Sequence, residues 1–186
     1  VMAKMLFPET IDKISNELTP MVATARVIKQ EHPHALVVFI GPCASKKLEA
    51  SRRTVRSDVD FVITFEELAG MFEARGILLE EIAAMDKMQD ATGAGRGYGV
   101  AGGVASAIED CIKTYYPSTE VKIEHAEGLS ECRKMLLLAK AGRKNGCLIE
   151  GMACPGGCIA GAGTNIPIPQ AAKEVARFKA AAKDAV

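Results

Sequence analysis

The sequence predicts a layered α/β fold with mostly parallel short sheets flanked by helices. Short runs of branched apolar residues alternate along the chain with segments of helical composition, and this alternation is typical of parallel strand pairing. Apolar residues make up 48% of the 186 residues and charged residues 25%, a balance typical of a protein with a sizeable core. The 23 basic and 23 acidic side chains cancel, so we expect neither nucleic acid nor a membrane as partner.

The first half of the chain is predicted to hold two helices, two strands and a polar loop. These elements are a helix at 9–18, a helix at 21–31, a strand at 35–40, a loop at 52–60 and a strand at 61–65. Thr19 is predicted to be the N-cap of the second helix, with Pro20 as its first helical residue. Thr64 is placed to cap a following helix, and Glu67 completes a capping box. No element is predicted for residues 83–89.

In the second half of the chain, predicted strands and helices alternate more regularly. Its predicted elements are a glycine-rich loop at 92–103, a helix at 103–115, a strand at 121–125, a helix at 129–141, a strand at 146–151 and a helix at 169–182. Gly142 is expected to end the helix before it. No apolar run reaches the length of a membrane span, and no signal peptide is visible. Because the chain starts at Val1, we expect a piece of a longer protein.

Two segments place cysteines at strand-to-helix turns among small residues. In residues 150–163 an apolar run leads into Cys154-Pro-Gly-Gly-Cys158, and in residues 37–49 another leads into Gly41-Pro42-Cys43. Thiolates in such turns suit a bulky metal–sulfur cofactor better than a lone metal ion. Lys46, one turn after Cys43, is placed either to donate to an anionic ligand or to lie on a solvated helix face.

Other interpretations of the cysteines stay open at this point. The six cysteines could form three disulfides, but a chain with this core needs no such staples, which favours a reduced, cytoplasmic setting. A zinc site needs four close donors, and His125 has no His or Cys partner at finger-like spacing. Cys154 and Cys158 share a face only if their segment is helical. The remaining three cysteines lie in helix or strand patterns and are predicted to be core: Cys111, Cys132 and Cys147.

The glycine-rich loop matches a nucleotide-binding pattern. Residues 97–102 satisfy G-x-G-x-x-G, but a dinucleotide site requires a strand directly before that pattern, and residues 88–92 have no strand character. We interpret the glycines as allowing backbone amides to approach an anionic cofactor.

Four segments resemble the iron-only ([FeFe]) hydrogenases. Residues 40–49 resemble the second cysteine signature of that family and residues 150–158 the third, while residues 56–64 and 92–103 resemble the intervening parts in the same order. The resemblance covers nearly the whole chain. It implies that residues 1–186 are a partial H-cluster-binding domain, the C-terminal domain of the large subunit, with two lobes enclosing a metal-cluster cavity.

The resemblance also implies a cofactor and its binding residues. The family binds the H-cluster, a 4Fe-4S cluster joined through one cysteine sulfur to a two-iron subcluster with CO, CN and dithiolate ligands. By motif matching, the resemblance implies that Cys43, Cys154 and Cys158 ligate the 4Fe-4S cluster and that Cys158 also bridges to the two-iron subcluster. It further implies that Lys46 hydrogen-bonds a cyanide and that Met152 packs against the two-iron subcluster. The remaining residues that it implies bind the cofactor are Pro42, Tyr98 and Gly99.

The implied activity is reversible conversion of protons and electrons into H2, with ferredoxin or ferredoxin-like iron–sulfur domains as electron partners. The first signature, which supplies the fourth cluster cysteine, precedes the segment that matches Val1 onward, so we expect this piece alone to be inactive.

Three departures from active hydrogenases suggest a divergent branch: Gly41 replaces a Met, Met21 a usual Gln, and residues 161–164 read Gly-Ala-Gly-Thr in place of three glycines and a Gln. The alternative is a non-catalytic iron–sulfur sensor or a cluster-assembly scaffold of the same family.

Overall fold

The computed structural model describes residues 2–83 and 91–183, which form two compact units. Unit 1 comprises residues 2–15, 91–160 and 166–183, and unit 2 comprises residues 16–83 and 161–165. The α-helices are α1 (Met2–Leu6), α2 (Pro20–Glu31), α3 (Ser45–Ser51), α4 (Phe65–Ala74), α5 (Gly93–Arg96), α6 (Gly103–Tyr115), α7 (Gly128–Lys140) and α8 (Ile168–Ala180). The strands are β1 (Val38–Ile40), β2 (Phe61–Ile63), β3 (Lys122–Glu127) and β4 (Cys147–Met152). Short 3₁₀ segments cover Pro8–Lys13, Leu79–Glu81 and Cys158–Ala160.

Unit 2 is built on a short parallel sheet. Strands β1 and β2 pair from Val38↔Phe61 to Ile40↔Ile63. The carboxylate of Asp60, just before β2, accepts the Val37 N–H at 2.7 Å and the Lys29 ammonium at 2.9 Å, which ties α2 to the sheet. The sheet thus carries the Gly41-Pro42-Cys43 turn at the end of β1.

Unit 1 contains a longer parallel pair, in register from Lys122↔Cys147 to Glu127↔Met152. Its buried apolar residues are mostly alanines: Ala94, Ala105, Ala107, Ala126, Ala139 and Ala171. Such small side chains let helices pack close to the sheet. The end of β4 leads directly into the segment with Cys154 and Cys158.

The predicted mixture of helices and short parallel sheets is confirmed. The Thr64–Glu67 capping box is present, with Thr64 accepting from the Glu67 N–H at 3.1 Å and Glu67 from the Thr64 N–H at 2.8 Å. The predicted loop at 52–60 contains no helix or strand. Helix α6 has the predicted limits, and Gly142, just past α7, has a left-handed φ of +74°.

Several local predictions were wrong. Residues 9–18 do not form a helix: a 3₁₀ turn over Pro8–Lys13 is followed by irregular chain. The buried Thr10 hydroxyl donates to the Phe7 carbonyl at 2.8 Å, which stabilises the tighter turn. Thr19 is the N-cap residue of α2 and Pro20 its first residue, as predicted, although the Thr19 hydroxyl donates to Glu49 and not to the helix. Both strands of unit 2 are shorter than predicted. The undecided segment 83–89 lies, beyond Ala83, outside the described residues.

Among the described residues, none of the helices combines the length and the apolar character that crossing a bilayer would demand.

Candidate metal centre

In unit 1, Cys154 and Cys158 flank a tight turn rather than sharing a helix face. The Gly157 N–H donates to the Cys154 carbonyl at 3.0 Å. Pro155 at the second position and Gly156 with φ +91° at the third are the signature of a type II turn. Cys158 then begins a single 3₁₀ turn, and both thiols are half-buried. The turn therefore presents two thiols from a fixed backbone.

The glycine loop, residues 97–103, lies directly against this cysteine turn, residues 154–158. Val100 and Gly157 form an antiparallel bridge, Ala101 N–H donates to the Gly156 carbonyl at 3.1 Å, and Ile159 N–H donates to the Gly99 carbonyl at 3.1 Å. A Cβ on Gly157 would meet the Ala101 nitrogen at 2.5 Å, so only glycine permits this approach. Gly99 and the cysteine turn, both singled out from the sequence, are thus neighbours, and the half-buried Tyr98 is adjacent to Gly99.

Glu150 is a residue of this site that the sequence did not single out. From β4, its carboxylate accepts the Gly102 N–H at 2.8 Å and the Ala105 N–H at 2.7 Å. These amides belong to the N-terminal end of α6, where backbone donors lack partners within the helix. The available signal was a carboxylate inside an otherwise apolar strand.

Met152 ends β4 and is half-buried. Its carbonyl accepts the Cys132 thiol at 3.5 Å, and the same thiol lies 3.6 Å from the Ala126 carbonyl. Burial raises the pKa of Cys132, which keeps this thiol protonated. Cys132 therefore serves packing at the strand ends.

The prediction that Cys111, Cys132 and Cys147 are core was wrong for Cys111, and the other two are not fully buried. Cys111 is exposed on α6, while Cys132 and Cys147 are half-buried. Helical periodicity does not reveal which face of α6 is covered, because that depends on the elements packed against it.

In unit 2, Cys43 lies between β1 and α3 and is half-buried. Its carbonyl accepts the Lys46 N–H at 3.1 Å, and the neighbouring Pro42 carbonyl accepts the Gly163 N–H at 2.9 Å. Gly163 packs so closely on Thr64 that an added Cβ would lie 2.4 Å from the Thr64 Cβ. Residues 161–165 are therefore fixed beside the Pro42–Cys43 turn.

The Lys46 ammonium is held by an acidic neighbour. Glu49 accepts from Lys46 at 2.8 Å through one oxygen and from the Thr19 hydroxyl through the other. Only 20% of the Lys46 side chain is exposed, so the interpretation as a solvated helix face does not describe it. An ammonium has three donors, and the pairing with Glu49 uses one of them.

At position 41, where the resemblance leads us to expect Met, the space beside Gly41 is occupied by the Phe39 ring. Gly41 is buried, and an added Cβ would lie 2.9 Å from the Phe39 ring. A larger residue at position 41 would have to displace that ring.

The donor chemistry of the predicted ligands fits an iron–sulfur cluster better than a single ion. Thiolates are the ligands of such clusters, and glycines let a bulky group approach. Within residues 2–83 and 91–183, no three His, Cys, Asp or Glu side chains are grouped so as to hold one metal ion. Cys43 and the Cys154–Cys158 pair lie in different units, and their joint ligation stays a prediction.

Known proteins resemble this chain over most of its length. It is 28% identical to iron hydrogenase 1 of Clostridium pasteurianum, over 87% of this chain and 35% of that protein. It is 27% identical to the periplasmic [Fe] hydrogenase large subunit of Nitratidesulfovibrio vulgaris, over 87% of this chain and 48% of that protein. The chain thus spans less than half the length of these relatives.

A shorter match is to a protein named as a cluster-assembly factor. Over 64 residues, 34% of this chain and 14% of the other protein, it is 39% identical to the cytosolic Fe-S cluster assembly factor NAR1 of Kluyveromyces lactis.

A solved structure shares the fold of this chain, and a family model gives the assignment. The apo [FeFe]-hydrogenase HydA1 of Chlamydomonas reinhardtii, solved as a variant, has the same fold, with a TM-score of 0.74 and 19% identity over 99% of this chain and 65% of that chain. Residues 1–162 match the family described as "Iron only hydrogenase large subunit, C-terminal domain". That match covers well over half of the sequence, and the chain therefore belongs to this family of iron-only hydrogenase domains.

Proposed function

We propose that residues 1–186 are a partial H-cluster-binding domain and that the protein containing them catalyses the reversible reaction 2H⁺ + 2e⁻ ⇌ H2. The observation that carries this proposal is the backbone contact between the glycine loop and the cysteine turn, through the Val100↔Gly157 bridge, in a chain of this family. The contact gathers Gly99 and two of the three predicted ligands around one rigid turn.

In this proposal Cys43, Cys154 and Cys158 would hold the 4Fe-4S cluster, and Cys158 would also hold the two-iron subcluster. Anionic sulfur is the donor that such clusters require. The half-burial of all three thiols supports the assignment, because a ligand must be both accessible to the cluster and shielded from bulk water.

The other predicted residues hold and shield the group. When bound, the H-cluster supplies the redox chemistry of hydrogen. Lys46, whose ammonium is held by Glu49, would donate a hydrogen bond to a cyanide of the bound group, and Met152, at the end of β4, would cover the two-iron subcluster. Pro42, Tyr98 and Gly99 complete the wall of the site and exclude water.

The proposed partners are ferredoxin or ferredoxin-like iron–sulfur domains for electrons, with H2 and protons as substrates. We place the protein in the cytoplasm, where thiols stay reduced. The periplasmic relative makes this compartment worth testing by cell fractionation.

The test uses the full-length protein, produced and matured without oxygen, in wild-type form and with Cys43→Ser, Cys154→Ser or Cys158→Ser. Cys111→Ser is the matched control, because Cys111 is exposed on α6. We expect the wild type and the control to contain iron, infrared bands of iron-bound carbonyl and cyanide, and H2 turnover, and each of the other variants to lose iron. A wild type with neither bands nor turnover rejects the catalytic proposal.

A second candidate is a non-catalytic iron–sulfur sensor or cluster-assembly scaffold. The match to NAR1 over 64 residues favours it, as do the departures at Gly41 and at residues 161–164. This candidate predicts a 4Fe-4S cluster held by the same cysteines, without carbonyl or cyanide bands and without H2 turnover. Stoichiometric zinc and no iron would reject both candidates.

A further inference from the structure

The N-terminal end of α6 is capped by the side chain of Glu150, which comes from strand β4. The helix begins after Gly102, which has φ +80° and no side chain that could cap it. Glu150, 48 residues further along the chain, accepts the Gly102 N–H through one oxygen and the Ala105 N–H through the other. These are the two donors that a capping box satisfies, at the N-cap and third helical positions.

This arrangement holds the glycine loop from two sides. On one side the loop is bonded to the cysteine turn, through Ala101 N–H to Gly156 and Ile159 N–H to Gly99. On the other side its exit into α6 is bonded to Glu150, four residues before Cys154. Glu150 lies in β4, and the cysteine turn follows directly after that strand, so one continuous segment contacts the loop on both sides.

A second carboxylate acts on the cysteine turn itself. Glu127, the register partner of Met152, accepts the Gly156 N–H at 2.8 Å. The ends of β3 and β4 therefore each direct a carboxylate at a backbone amide of a glycine-rich segment. Charged acceptors make the stronger hydrogen bonds to backbone amides, which suits segments without side chains of their own to pack.

We propose that Glu150 is a positioning residue of the cluster site: by binding the Gly102 and Ala105 amides, its carboxylate sets the position of Tyr98 and Gly99 relative to Cys154 and Cys158. This inference rests on the proposed function, because it assigns those four residues to the cofactor. Glu150 itself does not need to touch the cofactor.

The isosteric amide separates this role from simple packing. Gln fills the same volume but offers one acceptor oxygen and one NH2 group, so it can accept from only one of the two amides and turns a donor toward the other. Glu150→Gln therefore loosens the loop exit without creating a cavity. Glu150→Asp keeps the charge and shortens the reach, and it should have a smaller effect in the same direction.

The experiment compares the full-length wild type, Glu150→Gln and Glu150→Asp, all produced anaerobically. Glu124→Gln is the matched control, because Glu124 is a half-buried carboxylate of the same sheet that pairs with Lys144 at 2.7 Å. Hydrogen exchange is measured at the Gly102 and Ala105 amides, and the infrared and paramagnetic resonance spectra of the bound iron group are recorded on the same samples.

In Glu150→Gln we expect the Gly102 and Ala105 amides to exchange faster by about tenfold or more and the spectra of the iron group to shift. In Glu124→Gln we expect neither the exchange rates nor the spectra to change. Unchanged exchange in Glu150→Gln and Glu150→Asp overturns the inference, and so does faster exchange with unshifted spectra, which would make Glu150 a helix cap only. A wild type with slowly exchanging amides but no iron rejects the proposed function instead. If Glu150→Gln does not fold, the same comparison with Glu150→Asp decides.

Discussion

The backbone of Gly157 lies so close to that of Ala101 that a Cβ on Gly157 would be 2.5 Å from the Ala101 nitrogen. This distance is shorter than any ordinary contact, and Gly157 also has φ +89°, where side chains are strained. Only glycine at position 157 therefore permits this contact, which holds the cysteine turn against the glycine loop.

We predict that Gly157→Ala destabilises the protein by more than about 2 kcal/mol, because it adds a backbone clash to the conformational strain. Gly146→Ala is the matched control: Gly146 has φ +74° but open space around it, so the strain alone should cost about 1 kcal/mol. Urea unfolding measures both. Equal losses of unfolding free energy would show that the close contact does not contribute.

Lys46→Met is expected to reduce retention of the two-iron subcluster and to shift the cyanide infrared bands, since it removes the ammonium that Glu49 holds in place. Lys47→Met is the control, because Lys47 is the neighbouring lysine, pairs with Glu67 at 2.6 Å and has a side chain 43% exposed. Infrared spectra of the anaerobically matured full-length protein provide the measurement. Identical spectra for the two variants would remove Lys46 from the proposed site.

The two thiols Cys132 and Cys111 should differ in reactivity. Burial raises the pKa of Cys132, so at about pH 8 its reactive thiolate is scarcer, whereas Cys111 is exposed. We expect iodoacetamide to modify Cys111 faster than Cys132 by about tenfold or more, as read by mass spectrometry of timed samples. Cys132 should become more reactive only as the pH rises well above the ordinary pKa of a thiol. Comparable rates in the folded protein would contradict the burial of Cys132.

Acid should weaken unit 2 through Asp60. The Val37 N–H and the Lys29 ammonium lower the pKa of Asp60 below its ordinary value of 3.8. A lowered carboxyl pKa stabilises the folded state above that ordinary value, and the contribution is lost as pH falls through the folded-state pKa. Asp60→Asn keeps an acceptor for Val37 but does not titrate, so its unfolding free energy should fall less steeply below pH 3.8. Urea midpoints over a pH series measure this, and parallel curves for the two proteins would contradict it.

Features that depend on interactions within a few residues are the ones that the sequence predicted correctly. The Thr64–Glu67 box and the limits of α6 were predicted because their signals lie within a few residues. The Pro155–Gly156 pair carries an equally local type II turn signal, but no turn was predicted there. Residues 9–18 had helical periodicity, but the Thr10 hydroxyl bonded to the Phe7 carbonyl stabilises a tighter turn.

Non-local contacts were beyond the reach of sequence patterns. The two bonds from Glu150 to α6 join residues 45 and 48 positions apart, and the pairing of Thr19 with Glu49 spans 30 positions. No period or motif marks such partners, because they depend on how β4 and α6, or α2 and α3, come together. The cysteine motifs indicated a candidate site, and only the fold revealed the contacts around it.

Because the Glu150 carboxylate accepts two amides at the start of α6, it competes with any other anion for that position. A nucleotide phosphate bound at this helix start would need the same two amides. It would have to displace the Glu150 carboxylate, which is part of the chain and therefore always at high local concentration. The G-x-G-x-x-G pattern here therefore belongs to a loop whose amides at the helix start are already occupied by the Glu150 carboxylate.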